Sequence, residues 1–156
     1  TKWAAISMLK GEPTINYIGG VFKFQYATNT GAFLSLGSTL SAGMRFWLLT
    51  GFNAVILVAV ATFLFYKRAM AFSMTTALAM ILCGGLGNLC DRIFRDGVVI
   101  DFMVIDLQFQ LGPIPMRTGV FNVADVLIMV GLGIIILLEL FHPKTSLHTT
   151  SDEGAA

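Results

Sequence analysis

Three long apolar runs constrain what this chain can fold into. Residues Phe46 to Tyr66 and Ala69 to Cys90 contain no charged side chain, and Phe121 to Phe141 contains only Asp125 and Glu139. Each run has about the 20 residues that a helix needs to cross a membrane. Backbone polar groups cannot stay unpaired in lipid, so these runs must be helices. The sequence therefore predicts an integral membrane α-helical bundle.

The composition agrees with a membrane protein. The chain is 56% hydrophobic and 12% charged, and its mean hydropathy is +0.79, whereas soluble domains carry about twice that charged share. The net charge of +1 gives no support for a nucleic-acid partner. We expect a single membrane domain over residues 1–141, followed by a polar tail at 142–156 that is cytoplasmic and disordered.

The amino-terminal third predicts part of a helix and a small sheet. Residues 1–9 read as the end of a helix, and we expect the earlier part of a first span to be missing, which would make four spans. Ile15 to Thr28 is rich in strand-forming residues, with a turn at Gly19-Gly20. Asn29 to Gly31 reads as a turn or loop. We expect a small sheet at the outer membrane surface.

The orientation follows from a short basic loop. Lys67-Arg68 joins two spans and is expected on the cytoplasmic side by the positive-inside rule. Residues 10–45 and 91–120 then lie outside. The sequence contains no internal repeat, so an inverted-repeat transporter gains no support.

The two cysteines, Cys83 and Cys90, are too few for a structural zinc site, and no cluster of histidines completes one. We interpret both as small apolar packing residues. No metal ion and no cofactor is expected.

Five of the nine acidic residues fall at or near the outer ends of two spans: Asp91, Asp96, Asp101, Asp106 and Asp125. If the helix continues past Cys90, then Asn88, Asp91 and Arg92 share one helix face. One interpretation is a packing seam at Gly84, closed by a salt bridge from Asp91 to Arg92 or Arg95.

Asp125 and Asp101 are the two acids that are hardest to explain structurally. Asn122 is a candidate N-cap for the last helix, and we expect Asp125 to lie beyond the first turn, where a carboxylate is costly unless it faces the bundle interior and serves function. Asp101 lies within the apolar run from Val98 to Ile105. It either caps a turn or points inward beside Asp125.

Two carboxylates that share a site of low dielectric cannot both ionise readily, so the pair holds one proton. The ionised member can deprotonate a water molecule while the protonated member donates to a carbonyl oxygen. This is the arrangement of an aspartic protease.

Four blocks of sequence then resemble, in order and spacing, the signatures of the lipoprotein signal peptidase (signal peptidase II) family. They are residues 29–33 (NTGAF), 84–92 (GGLGNLCDR), 99–102 (VIDF) and 121–125 (FNVAD). The resemblance covers nearly the whole chain apart from the polar tail.

The resemblance implies a bacterial plasma-membrane aspartic endopeptidase with four spans and a small outer sheet cradle. Such enzymes cleave the signal peptide of prolipoproteins just before a cysteine that carries diacylglycerol, within membrane lipids, and cyclic-peptide antibiotics inhibit them. The catalytic pair of the family matches Asp101 and Asp125 in this sequence. Its supporting polar residues match Asn29, Asn88, Asp91, Arg92 and Asn122.

One departure and two alternatives remain. The family has an aspartate four positions before the lysine that matches Lys2, and that position lies ahead of Thr1. A proton- or ion-coupled transporter or channel would place polar residues throughout the depth of the bundle, whereas here they cluster at one end. A structural membrane subunit would pair Asp125 with Arg92 across helices.

Overall fold

The structure is a computed structural model, and it describes residues 1–31, 41–67 and 69–141. The polar tail at 142–156, the basic residue Arg68 and the end of the first signature block, Ala32-Phe33, lie outside the described residues. The expectations about the tail therefore stay predictions.

The described chain forms four α-helices and four β-strands. In chain order they are α1 (Lys2–Leu9), β1 (Ile15–Tyr17), a 3₁₀ turn (Ile18–Gly20), β2 (Phe22–Asn29), α2 (Ala42–Tyr66), α3 (Phe72–Phe94), β3 (Val99–Leu111), β4 (Ile114–Arg117) and α4 (Val123–Leu140).

Helices α2, α3 and α4 are each long and apolar enough to cross a membrane, by length and composition. The 18 residues of α4 extend about 27 Å at the usual helical rise, which is close to the thickness of a bilayer core. Much of their apolar surface faces outward, including Trp47 and Phe65. The prediction of a multi-pass membrane bundle is confirmed.

Two predictions from the sequence are corrected by the structure: the helix boundaries and the role of the cysteines. Helix α2 begins at Ala42 rather than Phe46, and α3 runs from Phe72 to Phe94, beyond the predicted end at Cys90.

The interpretation of Cys83 and Cys90 as packing residues is wrong, because both are exposed on α3. In a membrane bundle such positions face lipid, where a small apolar side chain costs nothing.

Helices α3 and α4 approach each other closely through glycines, as the packing seam predicted. A Cβ atom at Gly84 would collide with the carbonyl oxygen of Ala124. A Cβ atom at Gly131 would lie 2.6 Å from the carbonyl oxygen of Ala77. The contact at Gly84 holds the amino-terminal turn of α4 against the carboxyl-terminal half of α3.

The four strands form one antiparallel sheet in the order β1-β2-β3-β4. The predicted strands on either side of Gly19-Gly20 are confirmed, and Asn29 is the last residue of β2 rather than part of a loop. Strands β3 and β4 were not predicted. Residues 99–105 lack polar alternation because the first part of β3 is covered on both faces.

A small apolar core joins α1 to the sheet. Ala5 and Leu9 pack against Phe102 of β3, and Phe24 stacks on the same ring at 6.4 Å between centroids. Beyond the sheet, Phe121 makes a bridge to Met103 immediately before α4 begins. Strand β3 therefore touches both α1 and the start of α4.

Candidate active site

Asp101 lies in the buried part of β3, where it is only 2% exposed. The amide nitrogen of Asn122 donates to its Oδ1 at 2.6 Å, and that of Asn29 donates to its Oδ2 at 3.0 Å. Both carboxyl oxygens therefore have a donor, and both donors are neutral. The alternative in which Asp101 caps a turn is wrong, since it is a strand residue.

The strand register explains why Asn29 reaches Asp101. In the pairing of β2 with β3, Asp101 faces Ala27 and Asn29 faces Val99. Residues two apart in a strand point to the same side of a sheet, so Asn29 and Asp101 are diagonal neighbours on one face. The backbone N–H of Gly31 donates to the Asn29 oxygen at 2.8 Å, which turns the amide nitrogen toward Asp101.

Asp125 is the third residue of α4, in its first turn, so the expectation that it lies beyond that turn is wrong. Asn122 is the N-cap, as predicted, and its oxygen accepts from the backbone N–H groups of Ala124 and Asp125. The carboxylate of Asp125 accepts from the backbone N–H of Asn122 at 2.9 Å. This reciprocal capping box fixes the carboxylate at the positive end of the helix dipole.

Asn88 connects α3 to the same carboxylate. Its amide nitrogen donates to Oδ1 of Asp125 at 2.8 Å. Its oxygen accepts from the amide of Asn122 at 3.1 Å, and Asn122 itself is completely buried. Three asparagines thus surround the two aspartates, and Asn122 contacts both of them.

Both carboxylates line one cavity of about 480 Å³, which is open to solvent. Arg92 lines it as well, and it interacts electrostatically with both aspartates. The guanidinium of Arg92 donates to the carbonyl oxygen of Gly97 at 3.0 Å. Within the described ranges no ion pair joins Arg92 to Asp125, so the pairing expected of a structural subunit does not form.

Burial raises the pKa of Asp101 above its ordinary value, and the nearby negative charge of Asp125 raises it further. The hydrogen bonds from Asn122 and Asn29 act in the opposite direction and are outweighed. The direction of this pKa shift favours the protonated form of Asp101.

Asp91 belongs to a separate cluster next to the cavity. It forms ion pairs with Lys2 at 2.8 Å and with Arg95 at 3.0 Å, the second of which was one of the two predicted pairings. Its Oδ2 also accepts the backbone N–H of Ile100 at 3.0 Å. Asp91 therefore anchors β3 one residue before Asp101 but does not line the cavity.

Sequence reasoning assigned no role in the site to Lys2. Its ammonium group reaches across to α3, where it donates to Oδ1 of Asn88 at 2.7 Å and to the carbonyl oxygen of Gly87 at 3.2 Å. Two signals were available: Lys2 lies in the first turn of an otherwise uncharged helix, and it matches a lysine of the family that the sequence resembles. The other two acids lie apart from the cavity lining: Asp96 in the turn after α3 and Asp106 near the outer part of β3.

In residues 1–31, 41–67 and 69–141, no three His, Cys, Asp or Glu side chains are grouped as metal ligands would be. The polar side chains that line the cavity carry carboxyl, amide and guanidinium groups.

A sequence profile described as Signal peptidase (SPase) II matches residues 1–141. The chain belongs to this family. It is 32% identical over 142 residues to the lipoprotein signal peptidase of Borrelia duttonii, with 90% of this chain and 81% of the relative covered. It is 34% identical over 140 residues to that of Symbiobacterium thermophilum, with 88% and 82% covered.

The fold is similar to that of a bacterial membrane enzyme solved by the in meso method at 1.9 Å resolution. The TM-score is 0.69 at 26% identity, and 90% of this chain and 83% of that chain are covered. The resemblance read from the four sequence blocks is thereby confirmed, and so is the assignment of this chain as a membrane peptidase of the signal peptidase II family.

Proposed function

We propose that Asp101 and Asp125 are the catalytic pair with which this chain hydrolyses the signal peptide of prolipoproteins. The observation that carries the proposal is that the two carboxyl groups line one open cavity. They come from separate elements, β3 and α4, and every hydrogen bond described for their carboxyl oxygens comes from an asparagine.

In this proposal Asp101 holds the proton and Asp125 is ionised. Burial favours the protonated form of Asp101, whereas the capping position of Asp125 favours a negative charge at the start of α4. Asp125 then removes a proton from a water molecule in the cavity, and the water oxygen bonds to the scissile carbonyl carbon. Asp101 donates its proton to the carbonyl oxygen, which gives a tetrahedral intermediate.

The tetrahedral intermediate collapses when Asp125 returns the proton to the leaving amide nitrogen and Asp101 takes a proton back. The C–N bond breaks, one water molecule is consumed, and both carboxyl groups regain their starting states. Asn29, Asn88 and Asn122 hold the carboxyl groups in place, Asp91 anchors β3, and Arg92 contributes positive charge at the cavity wall.

The substrate of this proposal is a prolipoprotein that is cleaved just before a diacylglyceryl cysteine. The outward-facing apolar surface of the spans supports contact with lipid chains beside the cavity. We place the chain in the bacterial plasma (inner) membrane, with the cavity on the outer face. Cyclic-peptide antibiotics are expected to compete for the same cavity.

The test uses the protein reconstituted in lipid nanodiscs with a diacylglyceryl-modified signal peptide. Asp101→Asn and Asp125→Asn, made separately, are each expected to lower kcat by ~10²- to 10⁴-fold. Asp106→Asn is the matched control, because it changes the same residue type in the same strand outside the cavity. It is expected to cleave like the wild type.

Near-normal cleavage by either Asp101→Asn or Asp125→Asn contradicts the catalytic pair. A proton-coupled transporter predicts a different result. Neither the wild type nor its variants would cleave the peptide, and a proton gradient across vesicles would collapse only when Asp125 is present. Among the charged groups around the cavity, Asp91, Arg92, Asp101 and Asp125 all lie at one end of the bundle, which argues for a peptidase rather than a transmembrane relay.

A further inference from the structure

The three asparagines around the catalytic pair are oriented in the same way. In each of them the amide oxygen accepts a hydrogen bond from a separate donor, which leaves the nitrogen to face a carboxylate. For Asn29 that donor is the backbone N–H of Gly31. For Asn122 it is the backbone at the start of α4.

Asn88 differs because no backbone donor was found for its oxygen in the described chain. Its Oδ1 accepts instead from the ammonium group of Lys2 at 2.7 Å and from the amide of Asn122 at 3.1 Å. The Lys2 side chain is only 14% exposed, so its charge is largely withdrawn from water. A lysine takes the place that backbone amides take for the other two asparagines.

We infer that Lys2 is a positioning residue, which fixes the amide of Asn88 so that its nitrogen donates to Asp125. This inference rests on the proposed function, since it concerns the ionised member of the catalytic pair. Without Lys2, the amide of Asn122 is the one described donor that still holds the Asn88 oxygen, so a 180° rotation that presents this oxygen to the carboxylate becomes less unfavourable. An ionised Asp125 would then lose a donor and face an acceptor.

A purely structural role offers a competing explanation. Lys2 also pairs with Asp91 at 2.8 Å, so its removal leaves a largely buried carboxylate with one cation fewer. The two roles can be separated, because the contacts to Asn88 and to Asp91 end on different side chains. Asp91 keeps Arg95 as a partner when Lys2 is replaced.

The charged groups that surround this network come from every element that packs against it: Lys2 of α1, Asp91, Arg92 and Arg95 of α3, Asp101 of β3 and Asp125 of α4. Arg45 of α2 lines a neighbouring pocket with Arg92. Removal of the Lys2 charge and donor makes ionisation of the catalytic pair less favourable. The Lys2 charge lowers the pKa of Asp101, so its removal should move the basic limb of the pH profile of kcat to higher pH.

The experiment measures kcat, KM and the pH profile for Lys2→Met in nanodiscs. We expect kcat to fall by about 10- to 100-fold with KM little changed, because a small displacement of a catalytic group is costly while substrate contacts stay the same. Lys2→Arg, which keeps the charge and the donors, is expected to restore most of kcat and the wild-type profile. Lys10→Met is the matched control, since Lys10 is an exposed lysine at the end of the same helix.

A double-mutant cycle with Asp91→Asn separates the two roles. If Lys2 positions Asn88, then Lys2→Met lowers kcat by the same factor in the Asp91→Asn background as in the wild type. If Lys2 only balances the charge of Asp91, that loss disappears in the Asp91→Asn background, and the inference is overturned. Should Lys2→Met fail to fold, Lys2→Gln, which is uncharged but polar, replaces it in the cycle.

An activity-free measurement keeps this test apart from the proposed function. The infrared band of the Asn88 side-chain carbonyl, taken as a difference against Asn88→Ala, is compared in the wild type and in Lys2→Met. The band should move in Lys2→Met, because the amide oxygen loses its charged donor, even if no peptide cleavage is found. An unchanged band would overturn the role of Lys2, whereas absent cleavage by the wild type would count against the proposed function alone.

Discussion

Strand β3 carries two aspartates, one near its start and one in its middle, and the two have opposite surroundings. Asp101 is buried and receives its hydrogen bonds from two neutral asparagines. Asp106 lies five positions further on, where its carboxylate pairs with the ammonium group of Lys23 at 2.8 Å. The pKa of Asp101 is raised, chiefly by burial, and that of Asp106 is lowered, chiefly by its hydrogen bond from Lys23.

The comparison shows that the hydrogen-bonding partner determines whether a carboxyl group can readily exchange a proton. A cation holds Asp106 ionised, so it can fasten β3 to β2 but cannot easily exchange a proton. Amides hold Asp101 in place without compensating a negative charge, so proton exchange stays possible. Asp91 follows the first pattern with Lys2 and Arg95, and its contact with the backbone of Ile100 anchors β3.

The largest effect beyond the catalytic pair is expected for Asn122→Ala. This change removes the donor to Asp101, the contact to Asn88 and the cap of α4 together. We expect kcat to fall by about 100-fold from misplacement of the carboxyl groups and the free energy of unfolding to fall by about 0.5–2 kcal/mol from the lost cap. Peptide cleavage and thermal unfolding in detergent measure the two effects.

Ser41→Ala is the matched control for the cap. The Ser41 side chain accepts from the backbone N–H of Met44 at the start of α2, and Ser41 does not line the cavity. It should reduce stability and leave kcat close to the wild type. Equal losses of kcat in Ser41→Ala and Asn122→Ala would show that capping alone explains the role of Asn122.

Asn29→Ala is expected to reduce kcat less than Asn122→Ala does, and to shift the pH profile of kcat in one predictable direction. The hydrogen bond from Asn29 lowers the pKa of Asp101, so its removal raises that pKa further. In the proposed mechanism Asp101 must be protonated to act as the acid, so the basic limb of the pH profile of kcat should move to higher pH. The maximal kcat should fall by no more than about tenfold, the value of one hydrogen bond to a neutral group.

The control for Asn29→Ala is Asn16→Ala, which removes the same side chain from the neighbouring strand β1. Its pH profile should coincide with that of the wild type. A basic limb that moves to lower pH in Asn29→Ala would reverse the assigned roles of the two carboxyl groups.

The smallest effect is expected for Asp106, in the middle of β3. Asp106→Asn removes the ion pair with Lys23, and kcat should stay within about twofold of the wild type, since exposed ion pairs contribute little. Because the pKa of Asp106 is lowered in the folded protein, its ion pair stabilises the fold at pH values above the ordinary pKa of an aspartate. This stabilisation is lost as the pH falls through the lowered pKa. Thermal midpoints of variant and wild type should therefore differ at neutral pH and converge in acid.

Much of the fold could be read from the sequence because hydropathy is a local property. The apolar runs predicted α2, α3 and α4, and the β-rich segment around Gly19-Gly20 predicted the first hairpin. Strand β3 was missed because it carries apolar residues on both faces, which periodicity cannot distinguish from other buried structure. The ends of α2 and α3 were misplaced by several residues, since polar groups such as Arg45 and Asp91 fit the ends of spanning helices.

The candidate site was only partly predictable. The spacing of Asn122 and Asp125 correctly indicated an N-cap, but the position of Asp125 in the first turn depends on where α4 begins. That start is set by the bridge between Phe121 and Met103. The sequence carried no sign of this pairing, because it joins segments through backbone atoms.

By itself, then, the sequence determined a membrane bundle, a cluster of acids at one end and a resemblance to one peptidase family. The tertiary structure alone decided which acids meet. The register of β2 on β3 brings Asn29 to Asp101, the glycine contacts of α3 and α4 bring Asn88 to Asp125, and the docking of α1 on the sheet brings Lys2 to Asn88. The physical reason is that hydropathy acts residue by residue, whereas a hydrogen bond between distant segments exists only once both have been packed into place.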